Sequence, residues 1–562
     1  MKKILLALVS VSFLFEASSQ TLPLGYSVHE SELLALNKFE LPLLDSDKLV
    51  AKAEENDKMG KMSMYGAIHN INIDAETHGD WKTDVYGNTT WQFKFKSQGA
   101  LAMALLFDDF YLPEGSFYYI YSADRSWFEG PFDFTENQPS GLYRSMDAYG
   151  DEAIFEYVQP AGVVGNPHLG VNGVIHYYRF IIDPRAEQRG GLSEACQVDV
   201  NCPEGADWVN QRQSVVRLSL VSPDGVGSCT GSLVNNTSYD CKNYILTAMH
   251  CTEESTNANL LVSTVRFNYQ KPNCGSGTGS VSQQKVGLIL RADSNDGGGT
   301  SGSDFALVEM DDAIPGSWNP FYAGWDATTA TPGLFSSSSN IRGMCIHHPS
   351  GDVKKISAAS TVTNGNWVAP GNHWRVVWTA TETDWGVTEG GSSGSPLYNK
   401  DKRIVGTLTG GGSFCAAPTA SDYYGKMERH FYGNPNPANE DLVDWLDAAG
   451  TGLTILNGAT PDNSLSQAPC TPQTPTSVQE LSFEDINIYP SVAIDNITIS
   501  SAKFTELQEV RIFDASGRIV DSFSLNATQQ TVSVQALNAG VYFISFIGND
   551  GNFVTKKFTV NR

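Results

Sequence analysis

Apolar and polar side chains alternate in short runs along most of the chain, and clusters of Gly, Pro, Asn and Ser interrupt them. That is the period of half-buried β-strands and not of helices. A cysteine-free stretch from about residue 21 to about 190 contains aromatic runs such as "GSFYYIYSA" between turns such as "LPEG" and "QPSG", and reads as all-β. The runs "SVVRLSLV", "NYILTAM", "DFALVEM", "WRVVWTA" and "RIVGTLTG" follow with sandwich or barrel spacing. Helical spacing is found in "NEDLVDWLDAAG", where Leu442, Val443, Trp445 and Leu446 precede a stop at Gly450. Residues 458–480 are rich in Pro, Thr, Ser and Gln and read as a linker. Beyond it, "INIYPSVAIDNITISS", "EVRIFDASGRIVDSFSL" and "VYFISFIGNDGNFVTKKFTV" alternate around turns and predict a small β-sandwich over 481–562. At the other end Lys2 and Lys3 precede an apolar run from Ile4 to Phe15 and the small residues Ala17, Ser18 and Ser19. This is the layout of a secretory signal peptide, residues 1–19, with an apolar run too short to span a bilayer.

Export changes how the composition is read. The 562 residues exceed one hydrophobic core and predict several domains. A formal charge of -25 argues against nucleic acid, whose phosphates require clustered Lys and Arg. Nine cysteines, all between Cys196 and Cys470, predict disulfides in an oxidising compartment, with at least one cysteine left over. There is no CxxC pair, and the only adjacent histidines are His347 and His348. Neither a metal nor a cofactor is expected.

Candidate chemistry centres on "EGGSSGSPL", Glu389–Leu397. A serine hydroxyl needs a base within reach, a third group to orient that base, and N–H donors for the oxyanion. The glycines around Ser393 permit a tight turn that would aim the N–H groups of Gly391 and Ser393 at one point. "YILTAMHC" is an apolar run ending at His250, which a Cys229–Cys251 cystine would anchor, and "GTSGSDFALVEM" places Asp304 at the head of a strand. A glycine-rich turn, an ordinary histidine and a capping aspartate are each the commoner reading alone. The order His, Asp, Ser at strand edges of one all-β segment predicts a nucleophile, base and orienter in Ser393, His250 and Asp304. The rival reading is a surface adhesin or binding module on a protease-like fold.

From about Gly191 to about Leu456 the sequence resembles the lysyl endopeptidases, secreted bacterial serine proteases of the chymotrypsin fold. The strings that carry the resemblance are "CQVDVNCPEG", "CTGSLVNNT", "LTAMHC", "FNYQ", "SDFALVEM", "AGWD", "IHHP", "GVTEGGSSGSPLY", "SDYYGKM" and "DWLD". The resemblance implies an all-β fold of two six-stranded antiparallel barrels over residues 191–457, with the site in the cleft between them and Met249 apart from the chemistry. It implies hydrolysis of polypeptides after lysine, with Asp422 at the base of the substrate pocket and Trp367 as its wall. Thr409 stands where the family places a histidine beside that tryptophan, which opens the question of arginine. The implied disulfides are Cys196–Cys415, Cys202–Cys274 and Cys229–Cys251; Cys241 and Cys345 have no counterpart and could bridge, leaving Cys470 free. Residues 20–190, with "GALAMALLFDDFYLPEGSFYYIYSAD", resemble the family's propeptide, which implies a β-rich partner that assists folding and blocks the cleft. The junction holds Arg185 and Arg189 but no lysine before Gly190 and Gly191. The last eighty or so residues are similar to type IX secretion sorting domains, with a degraded core at Tyr489-Pro490-Ser491-Val492-Ala493. Together these imply a secreted or surface protein, monomeric, that meets the secretion machinery through its C-terminal domain.

Overall fold

A computed structural model describes residues 36–58, 61–75, 77–180, 192–310, 312–433, 441–461, 470–472, 486–501, 507–514, 518–548 and 553–561, together with Pro23. The expected signal peptide and the Arg185–Gly191 junction lie outside the described residues. The chain divides into two units, residues 1–47 with 67–178, and residues 48–66 with 179–562. Among the described residues no helix is long and apolar enough to cross a membrane.

The smaller unit is built of strands. Thr89–Lys96 lies between Lys38–Glu40 and Glu152–Gln159, and Phe117–Ser122 and Phe128–Asp133 extend the sheet. His168–Tyr177 and Ala102–Tyr111 form a second antiparallel layer. Stacked rings such as Trp91 on Phe93 and Tyr118 on Phe155 fill its core, as the aromatic runs predict.

The all-β reading of residues 21–190 needs one correction. Residues Ser46–Lys58 form an α-helix, and all of it after Asp47 belongs to the larger unit. Ser46, Leu49, Val50, Ala53, Asn56 and Asp57 are its more buried positions, a helical stripe. "SDKLVAKAEENDK" contains a single β-branched residue, and its helix formers are the signal that strand counting passed over.

In the larger unit the first barrel-like sheet pairs Gln284–Val286, Thr264–Arg266, Val215–Ser222, Gly225–Leu233, Tyr244–Thr247, Ala306–Glu309 and Ile289–Asp293 in that order. Only Gly287 and Leu288 separate the two outermost strands, so the sheet curls back on itself. The second barrel closes fully. Pro396–Tyr398, Gly343–His347, Lys355–Gly365, His373–Trp378, Ser421–Lys426 and Ile404–Gly411 pair in sequence, and the last returns to the first. This is the two-barrel plan the resemblance implies, with six strands in the second ring. Trp374, Trp378, Val376, Leu397, Leu408 and Tyr424 fill its interior. Burial of each such side chain contributes roughly 1.5–3 kcal/mol. The expected C-terminal helix is Leu442–Leu446, with Gly450 at φ +62 behind it.

Residues beyond 486 form a sheet of Ile486–Tyr489, Asn496–Ser501 and Gln529–Ser533 and another built on Leu507–Asp514, Gly540–Gly548 and Phe553–Val560. Ile497, Ile499, Val510, Ile512, Ile544 and Phe546 pack between them. Val492–Ala493 pairs in parallel with the closing strand.

Candidate active site

His250 follows the strand Tyr244–Thr247 in a single 3-10 turn, Met249–Cys251. Cys251 is bonded to Cys229 on the adjacent strand, closing a span of 22 residues and contributing about 3 kcal/mol. The cystine sulfurs and a ring nitrogen of His250 lie within 4.8 Å of one another. Asp304 is completely buried just before the strand Ala306–Glu309. His250 Nδ1 donates to Asp304 Oδ2 at 2.8 Å, and the His250 backbone N–H donates to Oδ1 at 3.0 Å. Burial alone would lower the imidazole pKa, but the charge and hydrogen bond of Asp304, with Glu253 and Asp296 behind it, raise it above the ordinary value.

The two adjacent serines of "GSSG" differ. Ser392 is buried; its Oγ bonds His347 Nδ1 at 2.8 Å and accepts from the Glu389 N–H at 3.2 Å. Ser393 is half-buried, and its hydroxyl has no hydrogen bond among the described residues. Gly391 at φ +94 and Gly394 at φ +79 shape the turn. A Cβ at Gly394 would lie 2.1 Å from Thr247 Oγ1 and 2.7 Å from Ala248 N, so the segment after Ser393 presses on the end of the histidine's strand. Ser393 O also accepts from Thr230 N at 2.8 Å. His250 Nε2 is buried and has no hydrogen-bond partner among the described residues. The imidazole and Ser393 hydroxyl are therefore not hydrogen-bonded to each other here. Among the described residues neither the Gly391 nor the Ser393 N–H meets an acceptor.

Asp422 lies in the second barrel, fully buried. Its Oδ2 accepts from Trp378 Nε1, Thr388 Oγ1 and Ser413 Oγ, each at 2.6 Å, whereas its Oδ1 accepts from the Ser413 N–H at 3.0 Å. A Cβ on Gly411 would sit 2.0 Å from Oδ1, so glycine leaves this oxygen open on that side. Burial pushes the carboxyl pKa up, against the pull of these hydrogen bonds. A cavity of about 430 Å³ is lined by Thr388, Gly411 and Ser413, the residues that contact this carboxylate, and also by Ser393, Thr409 and Trp367.

Residues 190–425 match the family model of the lysyl endopeptidase C-terminal domain. Over that stretch the chain is similar to the lysyl endopeptidases. It is a serine endopeptidase. Residues 487–561 match a secretion system C-terminal sorting domain, which marks type IX export to the cell surface or the extracellular space. A lysyl endopeptidase of Pseudomonas aeruginosa is 29% identical over 383 residues, 63% of this chain and 77% of that protein. The solved structures that overlay on it include the protease Anisep from Arthrobacter nicotinovorans, with TM-score 0.27, 15% identity, 38% of this chain and 90% of that one. Another is a Glu endopeptidase in complex with MPD, with TM-score 0.25, 17% identity and coverage of 38% and 85%.

Within the matched region the cystines are Cys196–Cys415, Cys202–Cys274 and Cys229–Cys251. The suggested Cys241–Cys345 bridge is not formed. Cys345 is a buried free thiol on the strand Gly343–His347, whereas Cys241 is disulfide-bonded. The side chain of Cys470 lies outside the described residues.

Trp367 lines the cavity with its ring over Gly410, whose Cβ would come within 3.2 Å of it. Thr409 shares a 3.1 Å hydrogen bond with His373 Nε2. Burial lowers the His373 pKa to about 4, so that ring is neutral. Nothing in "GNHWRVV" separates His373 from a structural histidine; only the barrel register brings it behind Thr409. The Met249 sulfur accepts the Asp296 N–H at 3.3 Å.

Residues 48–66 belong to the same unit as the site. Glu54, Asp57 and Lys61 line the same cavity as Ser393. Ser63–Gly66 adds to the first barrel beside Val226–Ser228, and a Cβ on Gly390 would meet Ser63 Oγ at 2.7 Å. Asp57 accepts from Ser63 Oγ at 2.9 Å and takes a forked ion pair from Arg179 at 2.8 and 3.2 Å.

Proposed function

We propose that this serine endopeptidase cuts polypeptides after lysine, as a monomer, through an acyl-enzyme formed on Ser393. His250 takes the hydroxyl proton during attack and returns it to the leaving amine. Asp304 holds the Nδ1–H tautomer and stabilises the imidazolium, and the N–H groups of Gly391 and Ser393 receive the oxyanion. The absent Ser393–His250 hydrogen bond fits a resting enzyme, in which such contacts are long or misaligned until substrate closes them.

The observation that carries the lysine reading is Asp422: a buried carboxylate with three donors on one oxygen, one on the other, and a glycine gap on the cavity side. A buried charge seeks a cation, and a compact ammonium on a four-carbon stem suits a single open oxygen better than a guanidinium fork. Trp367 would lie along the methylenes. Incubating the mature enzyme with a mixed proteome and sequencing the new C-termini should give lysine at the great majority of ends. Arginine ends at comparable frequency would overturn the preference and point to Thr409, the residue at the family's histidine position.

Residues 20–190 act in this reading as a propeptide whose 48–66 segment keeps the cleft occupied. Full-length Asp57→Ala takes from Arg179 its carboxylate partner and should hydrolyse a small lysyl ester before processing. The expected rate is about tenfold above the unprocessed wild type, as for loss of a partly exposed charged contact. An unprocessed variant as silent as the wild type would remove the segment from latency.

A further inference from the structure

The loop Ser294–Asp304 contains a second buried carboxylate that the proposed hydrolysis does not use. Asp296 is 4% exposed. Its Oδ2 accepts the backbone N–H of Asp304 at 2.9 Å, and its Oδ1 accepts that of Gly299 at 2.8 Å. Its own N–H is held by Met249 Sδ, on the residue before His250. Asp304 stands at φ +58, the left-handed region that a residue with a Cβ adopts at a cost of about 1 kcal/mol or more. From this conformation both of its oxygens reach His250.

We infer that Asp296 is a positioning residue for the base pair, clamping the Asp304 backbone in the conformation that delivers its carboxylate to His250 and setting a second negative charge behind the imidazole. The inference rests on reading His250 and Asp304 as that base pair. A carboxylate is suited to this place because both oxygens are acceptors facing N–H groups. An amide of the same shape must turn its NH2 toward one of them. The arrangement is costly, since two carboxylates share a dry loop: burial first, and the charge of Asp304 as well, raise the Asp296 pKa. The loop leaves no slack to avoid it, because a Cβ on Gly302 would lie 2.4 Å from Asp296 Oδ2.

The charged groups that face His250 are Asp304 and Asp296 from this loop and Glu253 from the segment behind the histidine. His373, on a second-barrel strand, feels the Asp304 charge but is neutral. All three carboxylates raise the imidazole pKa, so removing one lowers it. A base must be neutral to accept a proton, so the acid limb of the kcat/KM profile moves to lower pH when Asp296 loses its charge.

The test compares matured Asp296→Asn and Gly302→Ala with the wild type. Asp296→Asn should lower kcat by about ten- to a hundredfold, as expected for a misaligned catalytic group, with KM little changed. Its acid limb should move to lower pH. Gly302→Ala keeps the charge but displaces the carboxylate, so kcat should fall while the limb stays in place; it also decides the matter if Asp296→Asn does not fold. A folded Asp296→Asn with wild-type kcat and an unmoved limb overturns the inference, and so does a wild-type kcat in Gly302→Ala. His250→Ala and Asp304→Asn are measured alongside. If they too retain full activity, the base-pair reading fails; if they are dead while the Asp296 variant is normal, only the positioning role fails.

Discussion

Ser393→Ala is expected to lower kcat for peptide hydrolysis by about 10⁴- to 10⁶-fold while leaving substrate binding nearly intact. The Gly391 N–H and the pocket are untouched by loss of one hydroxyl, so residual rate above water should persist. The neighbouring serine supplies the control. Ser392→Ala removes bonds to His347 and the Glu389 N–H inside the protein. It should therefore cost roughly 1–3 kcal/mol of stability by leaving a buried partner unpaired, and the folded fraction should retain turnover. A serine-directed sulfonyl fluoride must label Ser393 in the wild type and leave Ser393→Ala unlabelled. Labelling at Ser392, or none at all, would remove the nucleophile from this proposal and leave the adhesin reading.

The strands of the two barrels could be read from the chain because they are apolar runs bounded by strong turn residues, whereas their division into two barrels came from the family resemblance. "YILTAMHC" and "SDFALVEM" fix His250 and Asp304 at strand ends, and pairing of Tyr244–Thr247 with Ala306–Glu309 then brings the two ends together. That follows from strand order and register, both of which local pattern constrains. The groups that escaped the sequence act through geometry that pattern does not encode. Asp296 sits in "SNDGGGTSGSD", where any aspartate looks like a turn residue, and its value comes from two backbone N–H groups that only the folded loop aims at it. His373 reaches Thr409 because two neighbours of one central strand, Ser421–Lys426, place them 36 positions apart in sequence but one hydrogen bond apart in space.

The cysteines teach the same distinction. Three pairs carried by long family strings are formed, whereas Cys345, joined to Cys241 by elimination alone, lies inside the second barrel. Its thiol hydrogen-bonds Ser395 Oγ, and burial pushes its pKa up to about 12. A thiol so reluctant to ionise behaves as a small core residue, not as a nucleophile.

Asp422→Asn is expected to reduce kcat/KM for lysyl substrates by about 10³-fold, because the substrate ammonium would enter a dry pocket without a counter-charge. The side chain keeps its shape, so the effect isolates charge. Three donors converge on Oδ2 and one on Oδ1. An asparagine can serve the three with its carbonyl only by turning its NH2 toward the Ser413 N–H and the glycine gap, where one donor then faces another and the incoming ammonium finds no acceptor. Folding should survive the change. Burial holds the Asp422 pKa above the ordinary carboxylate value, so keeping it ionised withdraws stability as pH rises through that raised pKa, and an amide removes this cost. The decisive measurement is therefore a ratio: kcat/KM for lysine over that for an uncharged side chain of equal length. It should collapse toward unity in Asp422→Asn through loss of the lysyl rate, with the uncharged substrate turned over at close to its wild-type rate. If both substrates fall together, Asp422 supports the Thr388 and Ser413 wall and does not read the substrate, and the specificity must be sought among Thr409, Trp367 and Glu389 instead.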